Sequence, residues 1–158
     1  MSAGALPLLA VEDLSVAFAA GGGESTAVDG VGFSIGEGEV MALVGESGCG
    51  KSVTSLAIMG LLPRPAARIA RGRILFRDRD GERHDLAALP ERRMRAMRGN
   101  AMAMIFQEPM TSLNPLEPIG DQVAEPLVTH RAISRRGRQA SAIAIIARWR
   151  MPPESSCG

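Results

Sequence analysis

Gly45-Glu46-Ser47-Gly48-Cys49-Gly50-Lys51-Ser52 fits the pattern G-x-x-x-x-G-K-[ST], the signature of a phosphate-binding loop. The residue types explain the chemistry. Gly45, Gly48 and Gly50 can adopt backbone conformations that a Cβ forbids. Successive N–H groups then turn inward and form a concave anion site, in which Glu46, Ser47 and Cys49 contribute backbone. A helix starting near Lys51 adds its unpaired N–H groups, Val53 among them, and the positive end of its dipole. The Lys51 ammonium is expected to reach the β- and γ-phosphates of a nucleotide, and the Ser52 hydroxyl to bind Mg²⁺. The alternative is a glycine-rich turn that matches by chance, and the flanking sequence argues against it.

Those flanks are the elements that must hold the loop. Glu39-Val40-Met41-Ala42-Leu43-Val44 ends in an unbroken apolar run, which predicts a parallel strand buried on both faces. Lys51 to Leu62 contains no Gly or Pro except Gly60, which predicts a largely apolar helix ending at Pro63. Ala101-Met102-Ala103-Met104-Ile105-Phe106 predicts a second buried strand, with Gln107 at its end. Ligands in open parallel sheets gather at the carboxyl ends of strands, so Gln107 is a candidate to face the same site as Lys51; the other reading is an ordinary polar residue at a strand end.

Ahead of the loop, Leu14, Val16 and Phe18 alternate with polar or small residues, as do Val31, Phe33 and Ile35. Turns at Gly21-Gly22-Gly23 and Gly36-Glu37-Gly38 follow the two runs. They predict a small antiparallel sheet beside the parallel core. Phe18 is read either as a core side chain or as an aromatic that stacks on a nucleotide base. After the first helix come a short strand from Gly72 to Arg77 and a charged loop from Asp78 to His84 with a turn at Gly81. A helix from Pro90 closes at Gly99-Asn100, with Met94 and Met97 on its buried side. Its Arg92, Arg93, Arg95 and Arg98 read as a solvated face rather than a polyanion site. Further on, Ile119, Val123 and Leu127 share a helix face interrupted by Pro126. Ser134 caps a last helix with Ala140, Ile143 and Ala147 on one side, and Arg131, Arg135, Arg136 and Arg138 read as solvated surface.

The totals limit the function. The chain has 158 residues, 46% of them hydrophobic, and a net charge of +1, which suits one globular domain and no nucleic-acid partner. Lys51 is the only lysine; Tyr is absent and Trp149 is alone, so base-stacking surfaces for single strands are not expected. The two cysteines, Cys49 and Cys157, lie far apart, which fits a reduced, cytosolic compartment. The N-terminal residues lack a basic secretory n-region. No apolar run approaches the ~20 residues of a membrane span, so any membrane role is expected through a partner.

The run from Gly45 to Thr54 with Ile58-Met59-Gly60-Leu61-Leu62-Pro63 resembles the ATP-binding subunits of ABC transporters. It is closest to the dipeptide and oligopeptide importers, in whose loops a Ser usually stands at the position of Cys49. Met104-Ile105-Phe106-Gln107-Glu108-Pro109-Met110-Thr111-Ser112-Leu113-Asn114-Pro115 is similar to the Q-loop of the same group. The likeness covers about residues 8 to 153. It implies an α/β fold: a P-loop NTPase (RecA-like) core with an N-terminal antiparallel β-subdomain and the beginning of a helical subdomain. Residues 1–110 would be the N-terminal part of the nucleotide-binding domain and 111–158 the start of the helical subdomain. ATP and Mg²⁺ are the implied cofactors. Phe18 would stack on adenine, Lys51 and Gln107 would act in catalysis, and Gln107 would join Ser52 at Mg²⁺.

The implied partners are membrane-spanning permease subunits, a second ATP-binding subunit and, indirectly, a solute-binding protein. The implied location is the inner face of the cell membrane, on the cytoplasmic side. The solute would be a peptide, nickel or a similar small molecule. The L-S-G-G-Q signature, a strand ending in Asp-Glu and the switch histidine of the family are not found. His84 lies in a charged loop and His130 at a helix end. The chain is therefore expected to stop just before its signature, to be incomplete as a fold and to turn over ATP poorly or not at all. A non-catalytic nucleotide-binding fragment is the alternative. A small P-loop kinase fits less well because of the Q-loop run, and a GTPase is nearly excluded because its N-K-x-D motif needs a second lysine.

Overall fold

The computed structural model describes residues 6–106, 113–130 and 135–148, and of 135, 136, 138 and 139 the backbone alone. The chain divides into two compact units, Met1–Met102 and Ala103–Gly158.

The first unit is built on an antiparallel sheet. Its strands are β1 (Leu9–Ala20), β2 (Gly23–Ile35), β3 (Ala67–Arg77) and β4 (Arg83–Asp85), in the order β2-β1-β3-β4. The alternating runs around Val16 and Phe33 form this sheet as the sequence predicts, and β3 begins at Ala67, five residues before the predicted Gly72. Central β1 is flanked on both sides. Its register shifts near Asp13, a non-glycine residue at φ 50, where β3 supplies Gly72 at φ 96. A Cβ on Gly72 would collide with the Asp13 carbonyl, so glycine is required opposite this bulge.

One face of the sheet is covered by α1 (Lys51–Ile58) and α2 (Glu91–Met97). Leu14, Val16 and Ile74 are fully buried there, and Ala57 of α1 with Met94 and Met97 of α2 close over them. Burying each of the large side chains removes it from water at a gain of about 1.5–3 kcal/mol, which makes this the cohesive part of the unit. Exposed cross-strand pairs join Arg68 to Glu24, Arg71 to Asp13 and Arg73 to Glu12. At exposed positions such pairs set register more than stability.

Both predicted helices of this unit form, with shifted ends. The first stops at Ile58, four residues before the predicted Leu62. Gly60 takes φ 62 and closes it, with Gly60 N–H on the Ala57 carbonyl at 3.0 Å and Leu61 N–H on Leu56 at 2.8 Å. This is a Schellman ending, set by Gly60 before Pro63 is reached. The second helix has Pro90 as its N-cap and Glu91 as its first residue. The charged segment from Asp78 is a hairpin turn rather than a free loop, since Arg83–Asp85 pair with β3.

The two apolar runs predicted as parallel strands, at 39–44 and 101–106, are not strands. Val40 is 96% exposed, Val44 88% and Ile105 94%. A parallel strand satisfies its backbone through neighbouring strands and is covered by crossover helices. Among the described residues nothing pairs with either run except a single parallel bridge, Arg98 to Met102. An apolar run shows that a segment needs cover; it does not supply the cover.

In the second unit α3 (Ile119–His130) and α4 (Arg135–Arg148) pack on each other. The α3 helix continues through Pro126. Ala124 and Ala142 are buried, whereas Ile119 and Ile143 are 58% and 60% exposed, and Ala140 and Ala147 are exposed too. Ser134, the predicted cap, and Trp149 lie outside the described residues, as do the side chains of Arg131, Arg135, Arg136 and Arg138.

Candidate functional site

Residues 45–49 run as an exposed loop into the buried Gly50, the N-cap of α1 at φ 90. Only glycine suits this position twice over. A Cβ would strain the backbone, and it would lie 2.7 Å from the Ala27 carbonyl oxygen and 3.0 Å from Val28 Cγ2 on β2. Gly50 is thus pressed against the sheet, and that contact fixes where α1 begins. Gly48, at φ 84, has nothing within 4 Å of a would-be Cβ and faces open space.

The helix start is bare. No side chain caps α1, and its first turn holds no acidic residue. The leading N–H groups of a helix have no intrahelical partner, and a carboxylate or hydroxyl normally takes one of them. Here that end remains available to an anion, with the dipole favouring negative charge. Thr54 is occupied differently: its N–H and its hydroxyl both donate to the Gly50 carbonyl, at 2.8 and 3.0 Å, which ties the first turn down.

Lys51 folds back over the loop. Its ammonium donates to the Gly45 carbonyl at 2.6 Å and to the Glu46 carbonyl, and lies 3.3 Å from Cys49 Sγ. The loop from Gly45 to Lys51 therefore closes on its own lysine. Ser52 is exposed at the second helical position, and Val53 is half-buried against the core. ATP fits this donor set: bare N–H groups, open space at Gly48, one ammonium, and one exposed hydroxyl where a phosphate-bound Mg²⁺ would need an oxygen ligand.

Of the other predicted site residues, Phe18 lies on β1 opposite Ser25 and Ala67, half-buried and packed against the core. Gln107 lies outside the described residues.

Arg98 carries a role that the sequence reading missed. Grouped there with a solvated helix face, it turns inward with its side chain 18% exposed. Its Nε donates to the Met59 carbonyl at 2.7 Å and its Nη2 to Gly60 at 2.9 Å, both at the C-terminal end of α1. Glu91 grips the same guanidinium at 2.7 Å, and Glu91 is held below the usual carboxylate range by that hydrogen bond. A cation at this end complements the dipole whose positive end is the loop. The available signal was the spacing: Glu91 and Arg98 stand seven apart, on one side of a helix. Arg92, Arg93 and Arg95 are exposed, as expected, and Met94 and Met97 are buried.

The profile of the ABC transporter family matches residues 28–154. The chain is 59% identical over 128 residues to the peptidoglycan transport ATP-binding protein YejF of Agrobacterium fabrum, covering 81% of this chain and 22% of that protein. It is 45% identical over 140 residues to the dipeptide transport ATP-binding protein DppD of Bacillus subtilis, covering 89% of this chain and 40% of that one. To the oligopeptide transport ATP-binding protein OppD of the same organism it is 47% identical, over 88% of this chain and 37% of the relative. The chain thus spans between 22% and 40% of the length of these relatives. The dimeric structure of a bacterial ABC transporter cassette superposes with a TM-score of 0.70 at 22% identity, over 88% of this chain and 56% of that one. A cassette bound to ADP and Pi superposes at 0.68, also at 22% identity. At that identity the likeness shows the fold.

Proposed function

Since the chain belongs to the ABC transporter family, we propose that it forms the nucleotide-binding half of an importer's ATP-binding subunit, with peptides or similar small solutes as cargo. The observation that carries this reading is the uncapped start of α1 beneath the glycine loop, with Lys51 folded over it. The names of the relatives supply the cargo class: dipeptide, oligopeptide and peptidoglycan transport.

Within this reading the loop residues Gly45, Glu46, Ser47, Gly48, Cys49 and Gly50 hold the phosphates through backbone N–H groups, joined by those of Lys51, Ser52 and Val53. Lys51 exchanges the carbonyls of Gly45 and Glu46 for phosphate oxygens. Mg²⁺, when bound, neutralises phosphate charge; Ser52 and Gln107 would hold it. Phe18 stacks on the base, and Gln107 serves the hydrolytic step. Hydrolysis and its coupling to transport belong to the whole cassette, working as a pair with a second ATP-binding subunit. Residues 1–110 act as the nucleotide-binding part, and 111–158 open the helical part.

A permease partner is supported by the loop ahead of α3. Leu113 and Leu116 are exposed there and Ile119 at the start of α3, and Gln122 braces the loop by donating to the carbonyls of Asn114 and Glu117, both at 2.8 Å. A firm apolar loop suits docking against another protein. Among the described residues no helix is long and apolar enough to cross a membrane. Placement on the inner membrane face, with a solute-binding protein across the membrane, follows from the permease. Titration calorimetry with MgATP, MgADP and adenosine tests the nucleotide claim. Both nucleotides are expected to bind more tightly than adenosine, because the site is built for phosphate. Equal affinity for all three would contradict it.

A further inference from the structure

The β3–β4 hairpin gathers three metal-ligating side chains away from the phosphate loop. His84 is buried, with 5% of its side chain exposed, and its Nε2 lies 2.7 Å from Asp78 Oδ2 and 4.0 Å from Glu82 Oε2. One donor atom from each of the three residues lies within 4.8 Å of the others, the one such group among the described residues. We propose that Asp78, Glu82 and His84 bind a first-row divalent cation of the zinc type, the remaining positions being filled by water.

The hairpin holds the donors in place without a metal. Asp78 Oδ1 accepts the N–H groups of Asp80 and Glu82, at 3.0 and 2.9 Å, which fixes the carboxylate and leaves Oδ2 for the imidazole side. The turn is closed by Asp78 N–H on the Glu82 carbonyl at 2.9 Å, with Gly81 at φ 83. His84 sits directly across from Phe76 in the strand register, so its ring is anchored in the sheet. Metal sites depend on such supporting contacts to orient their ligands.

The separations are close to what a metal needs. Ligand atoms about 2.1 Å from a tetrahedral ion stand about 3.4 Å from each other. The 2.7 Å contact must open and the 4.0 Å separation must close, each by roughly 0.6–0.7 Å, within reach of small side-chain rotations. Ligation through Nε2 uses the neutral imidazole whose ring hydrogen sits on Nδ1, so that the Nε2 lone pair faces the metal and Asp78 Oδ2 turns from the imidazole to the ion. An imidazole with two carboxylates favours Zn²⁺, Co²⁺ or Ni²⁺ over Mg²⁺, so this site is chemically distinct from that of the phosphate loop.

Zinc chloride titrated into the chain carrying Cys49→Ser and Cys157→Ser, which removes competing thiols, tests the proposal. One saturable equivalent is expected, weakened about tenfold or more by His84→Ala and by Glu82→Gln but not by His130→Ala. Glu82 is exposed, so its variant keeps the fold even if His84→Ala does not. In the parent chain, the His84 Nε2 nitrogen resonance should move on adding zinc while that of His130 stays. No saturation below millimolar zinc, or equal affinity in Glu82→Gln with an unmoved His84 resonance, would overturn the proposal.

Discussion

Two loop carbonyls hold Lys51, one at 2.6 Å, and under the proposed function a phosphate would offer full negative charge in their place. Charge-assisted hydrogen bonds are about twice as strong as those to neutral acceptors, so the lysine should transfer to the nucleotide. Cys49 reports on this exchange, because it is exposed and its sulfur lies 3.3 Å from the same ammonium. A maleimide is expected to label Cys49 in the free chain, and saturating MgATP to slow that labelling several-fold; equal rates would mean an empty loop. The loop's place just ahead of α1 was legible from its eight residues. The contact of Gly50 with Ala27 and Val28 was not, because it joins parts of the chain more than twenty residues apart.

At the scale of the element, α1 is held at both ends. Gly50 seats its start, and Arg98 takes the carbonyls at its finish. Arg98→Ala leaves those carbonyls and Glu91 without their partner. Thermal unfolding of this variant should show a loss of about 1–3 kcal/mol, and Arg98→Lys should recover only part because it lacks the planar fork. An unchanged transition would mean that water serves the carbonyls equally well. The sheet was readable because alternation is a local signal, and so was the buried side of α2. The parallel strands were read from apolar runs alone, and the structure leaves Val40 and Val44 uncovered, because strand formation depends on neighbours. In the second unit Ala124 and Ala142 are the buried positions, while the larger Ile119 and Ile143 stay exposed.

For the whole molecule, acid should weaken the fold. Hydrogen bonds from His84 to Asp78, Arg68 to Glu24 and Arg98 to Glu91 each hold the carboxyl below its ordinary value. A carboxyl with a depressed folded pKa stabilises above its unfolded value of about 4, and that contribution is lost as pH falls through the folded one. The unfolding temperature should therefore drop as pH falls below about 4, less steeply in Glu91→Gln. A pH profile identical in that variant would remove Glu91 from the account. The glycine-rich run ends seated against the antiparallel sheet, and the central claim is that this loop binds nucleotide. The most direct test is equilibrium binding of a fluorescent ATP analogue with Mg²⁺ to the parent chain and to Lys51→Ala. Saturable binding in the parent and its loss in the variant is the expected result. Equal binding in both, or none in either, would contradict the claim.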